Sequence, residues 1–259
     1  MGRIIAIANQ KGGVGKTTTT INLGASLAHL GMKTLLLDLD PQSHTGSGLG
    51  VGAGEGPNLY HVMLEEVPLA QVIQSTVMPG LFVAPASADL AGAEVELVSA
   101  LAREFKLQRA LRALTEEYDY IMVDCPPTLG LLTINALTAA GSVLIPLQPE
   151  YFALEGLARL LNTIEQIRAA LNATLTLEGI VLTMFDVRNN LSHQVASEVR
   201  QHFSAQVFQS IIPRNVRISE ASSHGKPVLL YDGQSRGSES YVQLASELCA
   251  RHGLAVRSP

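Results

Sequence analysis

The sequence predicts an α/β fold: a mainly parallel, twisted sheet with helices on both faces. Short runs of apolar, often β-branched residues alternate with longer stretches of helical period. The short runs are apolar throughout, as strands buried on both faces require. Of the 259 residues, 47% are hydrophobic and 16% charged, ample material for a covered sheet.

Along the chain the strand candidates are Ile4–Ala8, Thr34–Asp38, Leu81–Pro85, Tyr120–Asp124, Val143–Leu147, Leu177–Thr183 and Phe208–Ile212. Between them lie helix candidates at Lys16–Leu30, Glu94–Glu117, Leu129–Ala139, Leu154–Leu171, Leu191–His202 and Glu239–His252. In the fourth, Leu154, Leu157, Leu160, Leu161, Ile164, Ile167 and Leu171 follow helical spacing. Residues 46–56 carry glycine at every second position, which predicts a mobile surface loop. Because that stretch follows an acidic motif, a nucleotide-responsive loop is the rival reading. Nothing reads as an interdomain linker, so residues 1–259 are expected to form one domain.

Several classes drop out early. Cys125 and Cys249 are far apart and form no CxxC, which argues against a disulfide framework or a structural zinc site. The amino terminus has no secretory pattern, and no apolar run reaches the length of a membrane span, so a cytoplasmic setting is expected. Lys and Arg number 18 against 23 Asp and Glu, a net charge of −5, which counts against a chain coated in positive charge.

The strongest chemical signal is Asn9-Gln10-Lys11-Gly12-Gly13-Val14-Gly15-Lys16-Thr17-Thr18, set after a strand and opening a helix. That context makes a phosphate loop, and with it the P-loop NTPase fold. Glycines let backbone N–H groups turn inward on an anion, and the helix adds its positive end. Gly12, Gly13, Val14, Gly15 and Thr18 would line ATP, Lys16 would reach its β- and γ-phosphates, and Thr17 would ligate Mg²⁺. The GxxxxGK[ST] pattern asks for glycine at position 10; this chain has Gln10, followed by a second lysine, Lys11.

Two acidic motifs follow. Leu35–Gln42 ends a buried strand in Asp38 and Asp40, which strand alternation puts on one side at the carboxyl edge, where ligands bind in such sheets. Tyr120–Pro127 is another apolar strand ending in acid, with Asp124 placed to hold Mg²⁺ and Pro126-Pro127 stiffening the next loop. Cys125 reads as a small buried residue.

The Lys-Gly-Gly-Val-Gly-Lys-Thr-Thr form resembles the deviant Walker A motif of the ParA/MinD family of ATPases, and Asp-Leu-Asp-Pro-Gln resembles that family's second signature. The likeness covers the whole chain. Ile211–Ala221, His224–Val228 and Tyr231–Gly237 are most similar to its chromosomal ParA (Soj) branch. The resemblance implies Mg²⁺-dependent ATP hydrolysis by an ATP-sandwich homodimer, slow until a ParB-type partner completes the site. It implies that Lys11 crosses to the partner's nucleotide, that Asp40 orients or activates the attacking water, and that Asp38 supports the metal region. Pro213 and Asn215 would lie near the adenine. Arg188 and Arg217 would hold double-stranded DNA without sequence preference, making the protein nucleoid-associated with no stable membrane contact. Gln42-Ser43-His44 replaces the family's frequent Gln-Gly-Asn. Between residues 188 and 236 there are six basic and three acidic residues, so charge is segregated along an acidic chain.

Rival readings meet specific obstacles. A MinD-like membrane-cycling ATPase needs a basic, bulky C-terminal amphipathic helix; residues 248–259 are short of bulky groups and interrupted by Gly253. A nitrogenase-iron-protein-like electron donor needs cysteines for a cluster. A small-molecule P-loop kinase or synthetase would not call for Lys11 and the Pro213–Arg217 segment. A plasmid ParA with an N-terminal helix-turn-helix domain is not expected, since the phosphate loop begins by residue 9.

Overall fold

Strand alternation divides the core into two layers. In β1 (Arg3–Ile7), Ala6 enters one layer while Ile5 and Ile7 enter the other. Leu35 and Leu37 of β2 (Thr34–Asp38) oppose Leu36 in the same way, and β5 (Tyr120–Asp124) splits Ile121 and Val123 from Tyr120 and Met122. Both faces are apolar, so both must be covered. The computed structural model describes residues 2–52 and 54–254. The last residues of the C-terminal tail, 255–259, and Ala53 of the glycine-rich stretch lie outside the described residues.

Between β1 and β2 runs α1 (Lys16–His29), followed after β2 by α2 (His44–Gly48) and α3 (Leu59–Leu64). Next come β3 (Gln74–Ser75), β4 (Leu81–Ala84), α4 (Leu90–Glu96) and α5 (Lys106–Leu111), leading into β5. The remainder is α6 (Leu131–Ala139), β6 (Ser142–Leu147), α7 (Ala153–Ala170), β7 (Thr176–Phe185), α8 (Asn190–Phe203), β8 (Val207–Pro213), α9 (Val216–Ser223), α10 (Val228–Tyr231) and α11 (Arg236–Arg251). The strands form one eight-stranded sheet in the order β3-β4-β2-β5-β1-β6-β7-β8. Every pairing is parallel except the antiparallel edge pair β3–β4. Leu23 and Leu27 of α1 and Tyr241, Leu244 and Leu248 of α11 cover one face; Leu132, Leu157, Leu160 and Val199 from α6, α7 and α8 cover the other. Among the described residues, no helix is long and apolar enough to cross a membrane.

Two expectations are corrected. The single helix predicted over Glu94–Glu117 is broken: Ala100 is extended, Ala102 has φ of 51°, and 3₁₀ turns occupy Leu97–Ser99 and Arg103–Phe105. Buried Asn135 of α6 holds the break, donating from Nδ2 to the Arg103 carbonyl (2.8 Å) and accepting the Leu107 N–H at Oδ1 (3.2 Å). The apolar pattern misled because Val95, Val98 and Leu101 are exposed. The glycine-rich stretch also begins as ordered structure. Residues 44–48 are helical, and Thr45, Gly46, Gly48 and Leu49 are buried. Glycine serves close packing there: a Cβ on Gly48 would lie 2.6 Å from Ile21 Cδ1.

Candidate nucleotide site

Parallel pairing brings one end of each central strand to a common edge, and the predicted acids meet there in register. Asp38 pairs across with Asp124, which also aligns with Ile7, the last residue of β1. The loop is pinned at three points. Asn9 Nδ2 donates to the Pro146 carbonyl of β6 (2.8 Å), Asn9 Oδ1 accepts the Lys11 N–H (3.0 Å), and Thr183 Oγ1 of β7 donates to the Val14 carbonyl (2.8 Å). Gly15, at φ 89°, caps α1 without a side-chain hydrogen bond, and the first turn carries no acid. Its leading N–H groups and positive helix end are therefore left for an anion from outside.

Lys16 is buried, and its Nζ lies 3.5 Å from the Lys11 carbonyl inside the loop. Burial lowers its pKa, opposed chiefly by the neighbouring Asp124 charge. Asp124 is fully buried. Its Oδ2 accepts from Thr45 Oγ1 (2.8 Å) and its Oδ1 from Thr20 Oγ1 (3.4 Å). Burial raises its pKa to about 6, against the pull of the Thr17 and Thr45 hydroxyls and Lys16. Asp38 is equally buried and pushed up by burial and by the neighbouring Asp124 charge. Its oxygens accept backbone N–H groups of Asp40 (3.2 Å), Thr45 (2.9 Å) and Gly46 (3.4 Å). Asp38 therefore faces the α2 turn, which its oxygens fasten through backbone N–H groups. Asp40 is half-buried, and its Oδ1 accepts the Gln42 N–H at 3.0 Å. Cys125 is buried, its thiol raised by burial and by Asp124, which leaves it inert.

The structure thus gathers Lys16, Thr17, Asp38 and Asp124 at the β1, β2 and β5 ends, with Asp40 just beyond. Lys11 stands exposed at the loop tip, ion-paired with Glu150 of the loop after β6. Pro213, Asn215, Arg188 and Arg217 lie farther along the same edge, after β7 and β8, where Phe185 and Pro213 are register partners. Asn215 caps α9, its Oδ1 accepting the Arg217 N–H at 2.8 Å. Both arginines are exposed and both are paired within the chain, Arg188 with Asp186 and Arg217 with Glu220 and Asp232. The basic excess expected after residue 188 is accordingly weaker than the count suggested, since Asp186 lies just outside that window.

Sequence reasoning missed Asn9, Thr20, Thr45 and Glu150. Thr45 lies just before the stretch expected to be mobile and carries no motif of its own, and Glu150 lies 139 residues from Lys11 with no local signal. The Asp186-Val187-Arg188 spacing could have been noticed, since an Asp two residues before an Arg in a turn can reach it. The turn after α2 also touches the arginine-bearing segment directly. A Cβ on Gly225, just after α9, would lie 2.9 Å from the Gly50 Cα.

A phosphate loop on a central strand, flanked by strand-end acids, defines the P-loop nucleotide-binding class. The family model described as an AAA domain matches residues 2–177. The chain belongs to the ParA/Soj family of chromosome partition proteins. It is 54% identical over 251 residues to the sporulation initiation inhibitor protein Soj of Bacillus subtilis, covering 96% of this chain and 99% of that one. With the chromosome partitioning protein ParA of Myxococcus xanthus it shares 57% identity over 252 residues, covering 97% and 89%. Among solved structures, the cobyrinic acid a,c-diamide synthase of Mycobacterium smegmatis with bound ADP and magnesium is 35% identical, with a TM-score of 0.85 and full coverage of both chains. The cell division ATPase MinD of Pyrococcus furiosus is 28% identical with a TM-score of 0.81, covering 97% of this chain and 100% of that one.

Proposed function

We propose that this chain is a single-domain partition ATPase of ParA type. Its ATP-bound homodimer holds double-stranded DNA without sequence preference, and a ParB-type partner releases it by stimulating hydrolysis. The observation that carries the reading is the shared sheet edge, with a phosphate loop and acids at its centre and two exposed arginines at one end. The relatives named as partition proteins support it.

In this reading the loop from Lys11 to Thr18 holds the triphosphate and Lys16 balances its β and γ charge. Asp40 orients or activates the attacking water. Mg²⁺ fits the residues present. The Thr17 hydroxyl beside the Asp124 carboxylate offers hard oxygen donors. Among the described residues no cluster of three His, Cys, Asp or Glu forms a dedicated cage, which suits an ion that keeps waters and phosphate oxygens as ligands. Bound there, it would supply positive charge to the phosphate oxygens. Asp38 contributes by holding the α2 turn, and with it the Thr45 hydroxyl on Asp124. Lys11 must leave Glu150 before it can cross to a partner's nucleotide, where it would neutralise charge developing on the transferred phosphoryl group. Pro213 and Asn215 would border the adenine. The protein would act in the cytoplasm, on the nucleoid, with no stable membrane association.

The test is DNA retention measured with ATP, with ADP and without nucleotide. Retention with ATP alone is expected. Retention that ignores nucleotide, or none in any state, would sink the reading. The latter result together with a phosphorylated or amidated small-molecule product would favour a synthetase instead. Lys11→Ala should bind ATP yet stay monomeric by light scattering.

A further inference from the structure

The arginines on the β7–β8 end of the edge do not stand free. Arg188 Nε donates to Asp186 Oδ1 at 3.0 Å and its Nη2 to Oδ2 at 2.9 Å, a two-pronged pair. Its backbone N–H also reaches Oδ1 at 3.0 Å, closing a turn. Arg217 Nη1 donates to Glu220 Oε2 at 2.9 Å, and its Nε lies 3.4 Å from Asp232 Oδ2. The Tyr231 hydroxyl donates to the same Glu220 oxygen at 3.3 Å, which fixes that carboxylate in place.

A guanidinium grips a phosphate with the same fork of N–H groups that grips a carboxylate. Here each fork already has a carboxylate of the same chain on it. An approaching phosphate must displace that carboxylate, and the displaced group stays within a few ångströms as a like charge. The Arg188 side chain is 84% exposed, so exchange is sterically open and the contest is electrostatic. We propose that Asp186, Glu220 and Asp232 compete in-chain with nucleic-acid phosphate and so set the threshold at which this face holds DNA. The proposal rests on the reading of the face as DNA-binding. It gives that reading a physical threshold. One subunit's screened arginines bind weakly, while two subunits held side by side bind with the product of their affinities scaled by effective concentration.

Asp186→Asn removes the charge but keeps the oxygen that accepts the Arg188 N–H, so the turn survives. Glu220→Gln and Asp232→Asn likewise keep acceptors. Binding to a labelled duplex of arbitrary sequence is followed by anisotropy, with a non-hydrolysable ATP analogue and with ADP, across a salt series. Asp186→Asn and the Glu220→Gln/Asp232→Asn double variant should each bind about three- to tenfold more tightly at ~0.15 M salt. Both should also show DNA binding with ADP under conditions where the unaltered protein shows none. Arg188→Ala/Arg217→Ala is the control. If the control loses DNA while the carboxylate variants bind no more tightly than the unaltered protein, the proposal is overturned and the DNA reading stands. If the control still binds DNA in full, the face is not the DNA site and both fall.

Discussion

At the β2–β5 end of the carboxyl edge, Asp38 and Asp124 are fully buried, and their oxygens are met by threonine hydroxyls and backbone N–H groups. At the β7–β8 end, Arg188 and Arg217 are solvent-exposed and held only by carboxylates on their own surface. Burial makes the first set expensive to rearrange, because an unpaired charge there would keep no water. Exposure makes the second set exchangeable, since surface ion pairs are worth roughly 0–1 kcal/mol. A chemistry that must be done one way sits where charges cannot move. The proposed grip on DNA, which must be released, sits where they can.

The first way to sharpen this contrast is Asp40→Ala. If Asp40 handles the water, turnover should fall about 10²- to 10⁴-fold while ATP still binds. Phosphate release and nucleotide titration measure the two separately, and rapid turnover would remove Asp40 from its role. Lys16→Ala should weaken ATP binding about a hundredfold, from the loss of a charge-assisted contact in a buried site; a fluorescent ATP analogue reads this. At the exposed end the effects should be smaller and salt-dependent. Arg217→Glu should lower DNA affinity about tenfold at low salt and flatten the salt slope, leaving nucleotide affinity unchanged. Equal DNA retention across the salt series would break the contrast.

The smallest effect is thermal. The buried Asp124 carboxyl has its pKa raised to about 6, above its unfolded value. The fold's advantage from the neutral form is therefore full at low pH and lost as pH rises through about 4 to 6. Asp124→Asn carries no such cost. Its melting temperature relative to the unaltered protein should climb across that window, by an amount corresponding to about 3 kcal/mol. A difference that stays flat with pH would mean that the ionised carboxylate is already fully compensated.

The same contrast governs what could be read before the fold was known. Residues 9–18, 35–42 and 120–127 announce themselves because chemistry and strand burial demand contiguous residue types. The strands that carry them, Thr34–Asp38 and Tyr120–Asp124, fall where expected. The β3 strand left no trace, since two polar residues at a sheet edge have no pattern to show. The α9 helix was missed although Asn215 is a good cap, because only Val216, Ile218 and Ala221 of its eight residues are apolar. The partners of the site residues were least legible. Glu150 meets Lys11 and Thr45 meets Asp124 only through tertiary folding, and nothing local marks either pair.

Gly50 and Gly225 meet backbone to backbone, both with positive φ, and neither has room for a side chain toward the other. Most joints between elements are made of side chains, which can hop rotamers and absorb small displacements. This one has no such slack. The turn that Asp38 fastens by its amides and the segment that follows Arg217's helix abut like two rigid stops. A side chain on either glycine would have to push the two segments apart, so the joint tolerates substitution least where the chain itself is smallest.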